Sequence, residues 1–161
     1  MNTFSGWIES VERVIAMILI AAMTLVIAAA VVFRYFFHAP LFWANEASIF
    51  MMAWITFIGG SLGLKYKSQA SITFLVDRLS IKGKRILAIA SYIIILIFLA
   101  ILLYLSYEWV FLAADQKSTS MRIPMWIPYL SVPVGLTCAF IHLSTHLVEL
   151  FKVKFQGGDP L

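Results

Sequence analysis

The chain has 161 residues, of which 62% are hydrophobic and only 12% charged. A soluble domain is nearer half apolar and a quarter charged, so the composition specifies an integral membrane protein. The net charge of +4 is small. It is explained below by topology, not by nucleic-acid binding, and the single cysteine, Cys138, excludes an internal disulfide.

Residues 1–13 mix polar and apolar side chains. Phe4, Trp7, Ile8 and Val11 recur at helical spacing, which predicts a short amphipathic lead-in on the membrane surface. Val14 to Phe33 then gives twenty residues without a charge, enough to cross a hydrocarbon core of about 30 Å. Ala28-Ala29-Ala30 resembles a signal-peptide cleavage site, but Glu9 and Glu12 outweigh Arg13 in the leader, where a signal peptide is basic.

Between the first two apolar runs lies FRYFFHAPLFWANE, Phe33 to Glu46. Its aromatic residues suit the membrane–water interface, and Ala39-Pro40 marks a turn. Arg34 and Glu46 flank this turn at one depth and are placed to form a rim ion pair. Simple snorkelling of Arg34 to the headgroups is the alternative. The second run, Ala47 to Leu64, carries Gly59 and Gly63, a small-residue face for close packing either within the chain or on a partner.

Lys65 to Arg85 is the most basic segment. Ile72, Leu75, Val76 and Leu79 follow helical spacing, predicting a short amphipathic helix on the membrane over about 70–80. Ile86 to Tyr107 is the third uncharged run. The fourth begins near Pro124, Trp126, Pro128 and Tyr129; Pro133, deeper, predicts a kink. Ser131, Gly135 and Ala139 form a second small stripe, continued by His142 and His146. The expectation is one all-α membrane domain over 1–161, with spans about 14–34, 46–65, 86–108 and 126–149.

With four spans, one side holds Arg13, Lys65, Lys67, Arg78, Lys82, Lys84, Arg85, Lys152 and Lys154. The other holds Arg34, Lys117 and Arg122. This nine-to-three split of the twelve basic residues predicts both termini in the cytoplasm. The cores of the spans carry no Asp, Glu, Lys or Arg, whereas ion and proton routes need such groups. No catalytic constellation, metal-ligand set or cofactor motif is present, so neither an enzyme nor a self-sufficient carrier of charged solutes is expected. His142 and His146, one turn apart, raise a bis-histidine haem. The expectation is instead that both can be replaced by alanine without loss.

Three motifs carry a family resemblance: F-R-Y-F-F-x-x-P-L-F-W-x-x-E at 33–46, W-x-x-F-x-G-G at 54–60, and I-P-M-W-I-P-Y-L-x-x-P-x-G at 123–135. Together they resemble the small membrane subunit of tripartite ATP-independent periplasmic (TRAP) transporters, the DctQ family. The resemblance implies a four-helix scaffold subunit of the bacterial inner membrane. Its partners would be a large DctM-type membrane subunit, which holds the substrate and sodium sites, a periplasmic DctP-type binding protein that delivers an organic acid, and membrane lipids. It implies no cofactor and no nucleic acid. Arg34, Trp43 and Glu46 fall on the first-loop motif, and Pro124, Trp126, Tyr129 and Pro133 on the fourth-helix motif. With Gly59, Gly63 and Gly135 these are the candidate interface residues. The chain departs from the family pattern at Asn45-Glu46, where two acidic residues are common, and at Ser71, where a histidine is common. The runner-up reading is a membrane-anchor subunit of a haem-containing redox complex; a third is an independent small transporter acting as an oligomer.

Overall fold

A computed structural model describes residues 2–67 and 81–152. The predicted surface helix at 70–80 and the end of the chain lie outside the described residues. Five helices are present in this range: α1 (Asn2–Tyr35), α2 (Phe42–Lys67), α3 (Ile81–Leu112), α4 (Trp126–Tyr129) and α5 (Ser131–Lys152). Four stretches are long and apolar enough to cross a membrane: Ser5–Tyr35, Phe42–Tyr66, Ile86–Leu112 and Trp126–Val148. No strand appears among the described residues beyond an isolated bridge between Lys117 and Pro124.

The predicted lead-in is not a separate surface helix. α1 runs unbroken for 34 residues, about 51 Å at 1.5 Å per residue. Its first turns also face the other way from the expected amphipathic helix. Ser5 and Glu12 are buried, while Trp7 and Val11 are exposed. In a bilayer this is the favourable arrangement, because polar groups are costly on the lipid side and collect inside the bundle.

α1 stops where the sequence places its turn. His38 takes a left-handed backbone conformation (φ 51°), and the N–H of Ala39 returns to the carbonyl of Phe33 at 3.1 Å. Pro40 then prevents the helix from continuing. α2 runs back antiparallel and packs against both α1 and α5, while α3 packs on α5. The order across the bundle is therefore α1, α2, α5, α3. The buried apolar cluster, Tyr92, Leu99, Ala139 and Leu143, lies between α3 and α5.

The last span is divided ahead of Pro133: α4 passes into α5 at Leu130, whose backbone stays helical (φ −59°, ψ −21°), with its N–H on the Trp126 carbonyl at 2.9 Å and its carbonyl accepting from Val134 N–H at 3.1 Å. Pro128 and Pro133 each lie in the first turn of their helix, where a missing N–H has no intrahelical partner to lose. Ser131 Oγ donates to the Pro128 carbonyl at 2.7 Å and ties the two segments together.

The close helix approach falls at a different glycine from the pair the spacing singled out. A Cβ on Gly135 would lie 2.7 Å from the backbone carbonyl carbon and oxygen of Phe57, so α2 and α5 cross in backbone contact. At Gly59 and Gly63 a Cβ would meet nothing within 4 Å. The Cβ positions of Gly59 and Gly63 thus face open space among the described residues.

Candidate functional site

The polar groups gather at the two ends of the bundle. At the hairpin end, Glu46 sits one turn into α2. Its carboxylate accepts backbone N–H groups from three consecutive residues of the loop between α3 and α4: Thr119 at 3.0 Å, Ser120 at 3.0 Å and Met121 at 2.8 Å. An ionised carboxylate is an acceptor only, and three convergent N–H donors match it. The loop is further shaped by Ser118 N–H to the Ile123 carbonyl and Met125 N–H to the Gln116 carbonyl, both 2.9 Å. Arg122 is left-handed at its tip (φ 54°).

The expected Arg34–Glu46 ion pair is therefore not formed. Loop 119–121 occupies the carboxylate, and among the described residues Arg34 makes no ion pair. Arg34 lies instead at a groove between α1 and α2. Around it Tyr35, Phe36, Phe37, Phe42 and Trp43 are exposed, forming an aromatic belt.

Of the remaining candidates, Pro124 lies in the bridge with Lys117, and Trp126 and Tyr129 begin and end the single turn of α4. Pro133 is fully buried, and Gly135 forms the α2–α5 crossing. The structure thus joins the second and third motifs at Phe57 and Gly135.

At the opposite end lies a network that sequence reasoning missed. His142 on α5 is wholly buried, and both its ring nitrogens are engaged: Nδ1 with Ser5 Oγ at 2.8 Å and Nε2 with Glu12 Oε2 at 2.9 Å. The other Glu12 oxygen is buried and accepts no hydrogen bond, and Cys138, one turn before His142, lies within electrostatic reach of the carboxylate. A more exposed shell surrounds this core. Lys65 Nζ donates to Glu9 Oε2 at 2.8 Å and to the Ser5 carbonyl at 3.0 Å. Arg13 bonds Glu9 and the Tyr66 hydroxyl, and that hydroxyl also donates to Glu9. α1, α2 and α5 are thus cross-linked at one end by side chains more than 50 positions apart. The signal available in the sequence was the run Ser5, Glu9, Glu12 on one helical face.

This arrangement holds helices together. No group of three or more His, Cys, Asp or Glu side chains able to hold a metal exists among the described residues. With both nitrogens of His142 in hydrogen bonds, haem ligation by that residue would have to break the core of the network.

Comparison with known proteins points one way. Residues 23–153 match the family described as "Tripartite ATP-independent periplasmic transporters, DctQ component". The chain is 25% identical to the C4-dicarboxylate TRAP transporter small permease protein of Vibrio cholerae, over 87% of this chain and 72% of that protein. It is 26% identical to the sialic acid TRAP transporter small permease protein of the same organism, over 80% and 74%. It is 24% identical to the isethionate TRAP transporter permease protein DctMQ of Oleidesulfovibrio alaskensis, over 92% of this chain but only 25% of that longer protein.

Proposed function

Because the chain belongs to the DctQ family of tripartite ATP-independent periplasmic transporters, we propose that it is the scaffold subunit of a sodium-coupled uptake system for an organic acid. In this reading a large membrane subunit carries substrate and sodium, and a soluble periplasmic binding protein delivers the substrate. The match over 23–153 carries the proposal. Supporting it, the central parts of the spans lack charge, and the buried charges at the ends are consumed in holding helices together. The DctMQ relative, in which the matched region is about a quarter of a longer permease, suits a chain that works beside a large partner. The relatives named for C4-dicarboxylate, isethionate and sialic acid are equally distant, at 25%, 24% and 26% identity, so the class of substrate is an organic acid and no narrower.

The nine-to-three distribution of basic residues supports an orientation with both termini in the cytoplasm and the hairpin end in the periplasm. The open Gly59/Gly63 face offers the large subunit a close approach. The hairpin end, with Trp43, Glu46, Pro124, Trp126 and Tyr129, forms the rim on which the binding protein docks. Rim charges set orientation and on-rate in such transient contacts.

The test is reconstitution in liposomes with an inward sodium gradient and the binding protein outside. Three samples are compared: this subunit, the large subunit, and both. Uptake of a C4-dicarboxylate or sialic acid is expected only with both. Uptake by this subunit alone would refute the scaffold role, and undiminished uptake by the large subunit alone would remove the requirement for it.

A further inference from the structure

From the groove beside Arg34 we infer a binding site for one phospholipid, its phosphate on the Arg34 guanidinium and one acyl chain between α1 and α2. The starting observation is the missing ion pair. Glu46, the carboxylate nearest Arg34 in the motif, is turned onto the 119–121 amides. That leaves a cation at the mouth of a groove of about 710 Å³, within the roughly 300–1,000 Å³ of small-molecule sites.

The groove changes character along its length. Arg34, Tyr35 and Asn45 lie toward the hairpin end of the groove, and Ile27, Ala30 and Val31 of α1 face Ser48 of α2 further along it. Arg34 and Ile27 are seven residues apart on one helix, about 10 Å. One leaflet of a hydrocarbon core is about 15 Å deep. The groove therefore accepts an acyl chain through about two thirds of a leaflet.

Two features select a phospholipid over other anions. The mouth lies within the belt of exposed Tyr35, Phe36, Phe37 and Phe42, which fixes it at headgroup depth. A soluble anion would find donors at the mouth but nothing to fill the apolar part. Guanidinium presents paired donors to phosphate oxygens.

The experiment uses the purified full-length chain in detergent and native mass spectrometry, with three probes: dioleoyl phosphatidylglycerol, dioleoylglycerol and glycerol 3-phosphate. One phosphatidylglycerol per chain should be retained. Dioleoylglycerol should be held about tenfold more weakly, and glycerol 3-phosphate not at all. Arg34→Gln should lower phosphatidylglycerol retention about tenfold, Arg34→Lys less, and Ala30→Phe should abolish it by filling the groove. A thermal melt checks that each variant is folded, and the wild-type probes decide the matter should a variant fail. Equal retention of dioleoylglycerol, or retention unchanged in both Arg34→Gln and Ala30→Phe, would overturn the site. So would cross-linking of Val31→Cys to the large subunit in the assembled transporter with no lipid retained there.

Discussion

The two ends of the bundle use carboxylates in opposite ways. At the terminal end Glu12 is buried and meets a side chain, His142, that is 130 positions away. At the hairpin end Glu46 is nearer the surface and meets three backbone amides and the Ser118 side chain of one loop. The first arrangement fixes helices against one another. The second fixes a loop and leaves the side chains around it, Lys117, Arg122 and Arg34, turned outward. The lesson is that one end is closed on itself while the other is shaped but unsaturated, as suits a surface read by other molecules.

The largest effect should come from the closed end. Removing one partner of a buried pair leaves the other uncompensated, at a cost of about 3–5 kcal/mol. Glu12→Ala or His142→Ala should each lower the thermal midpoint sharply, and the double variant should be far better than the sum of the two, because the residues act as a unit. The buried hydrogen bonds of His142 thus argue against the sequence-based expectation that it is dispensable. Additive losses would show that the two side chains are not coupled.

Next in size is the helix crossing. Gly135→Ala forces a methyl group against the backbone of Phe57, and overpacking of this kind costs about 1–3 kcal/mol. Gly59→Ala should leave the melting of the isolated chain unchanged, since its Cβ meets nothing. Gly59→Leu should weaken co-purification with the large subunit. Equal destabilisation by Gly135→Ala and Gly59→Ala would contradict the packing described.

At the hairpin end the effects should be local. Glu46→Gln should speed hydrogen exchange of the Thr119, Ser120 and Met121 amides while leaving the midpoint nearly unchanged. Arg34→Glu combined with Glu46→Arg should show no rescue, as the two do not pair. Smallest of all is the exposed shell of the closed end. Arg13→Gln should change stability by less than about 1 kcal/mol, the range of solvated ion pairs.

What could be read from the sequence follows from range. The four apolar runs, the turn at Ala39-Pro40 and the aromatic belt are local patterns, and the structure forms each of them. Glu46 was singled out, but its partners were not, because backbone amides leave no mark in a sequence. Glu12 and His142 were each visible as single residues. Their pairing depends on which faces of α1 and α5 turn inward, and the apolar Trp7 and Val11 suggested the opposite rotation of α1. Gly59 and Gly63 looked like the packing glycines, whereas the close approach of α2 and α5 falls at Gly135, against the backbone of Phe57.

The contrast between a closed and an open end is most directly tested by residue-resolved hydrogen exchange on this subunit, alone and then assembled with the large subunit and the binding protein. Protection should rise at 34–46 and 113–125 on assembly and stay constant, already high, at 9–13 and 138–146. Protection that rises at the Glu12–His142 end while the hairpin end is unaffected would contradict the account.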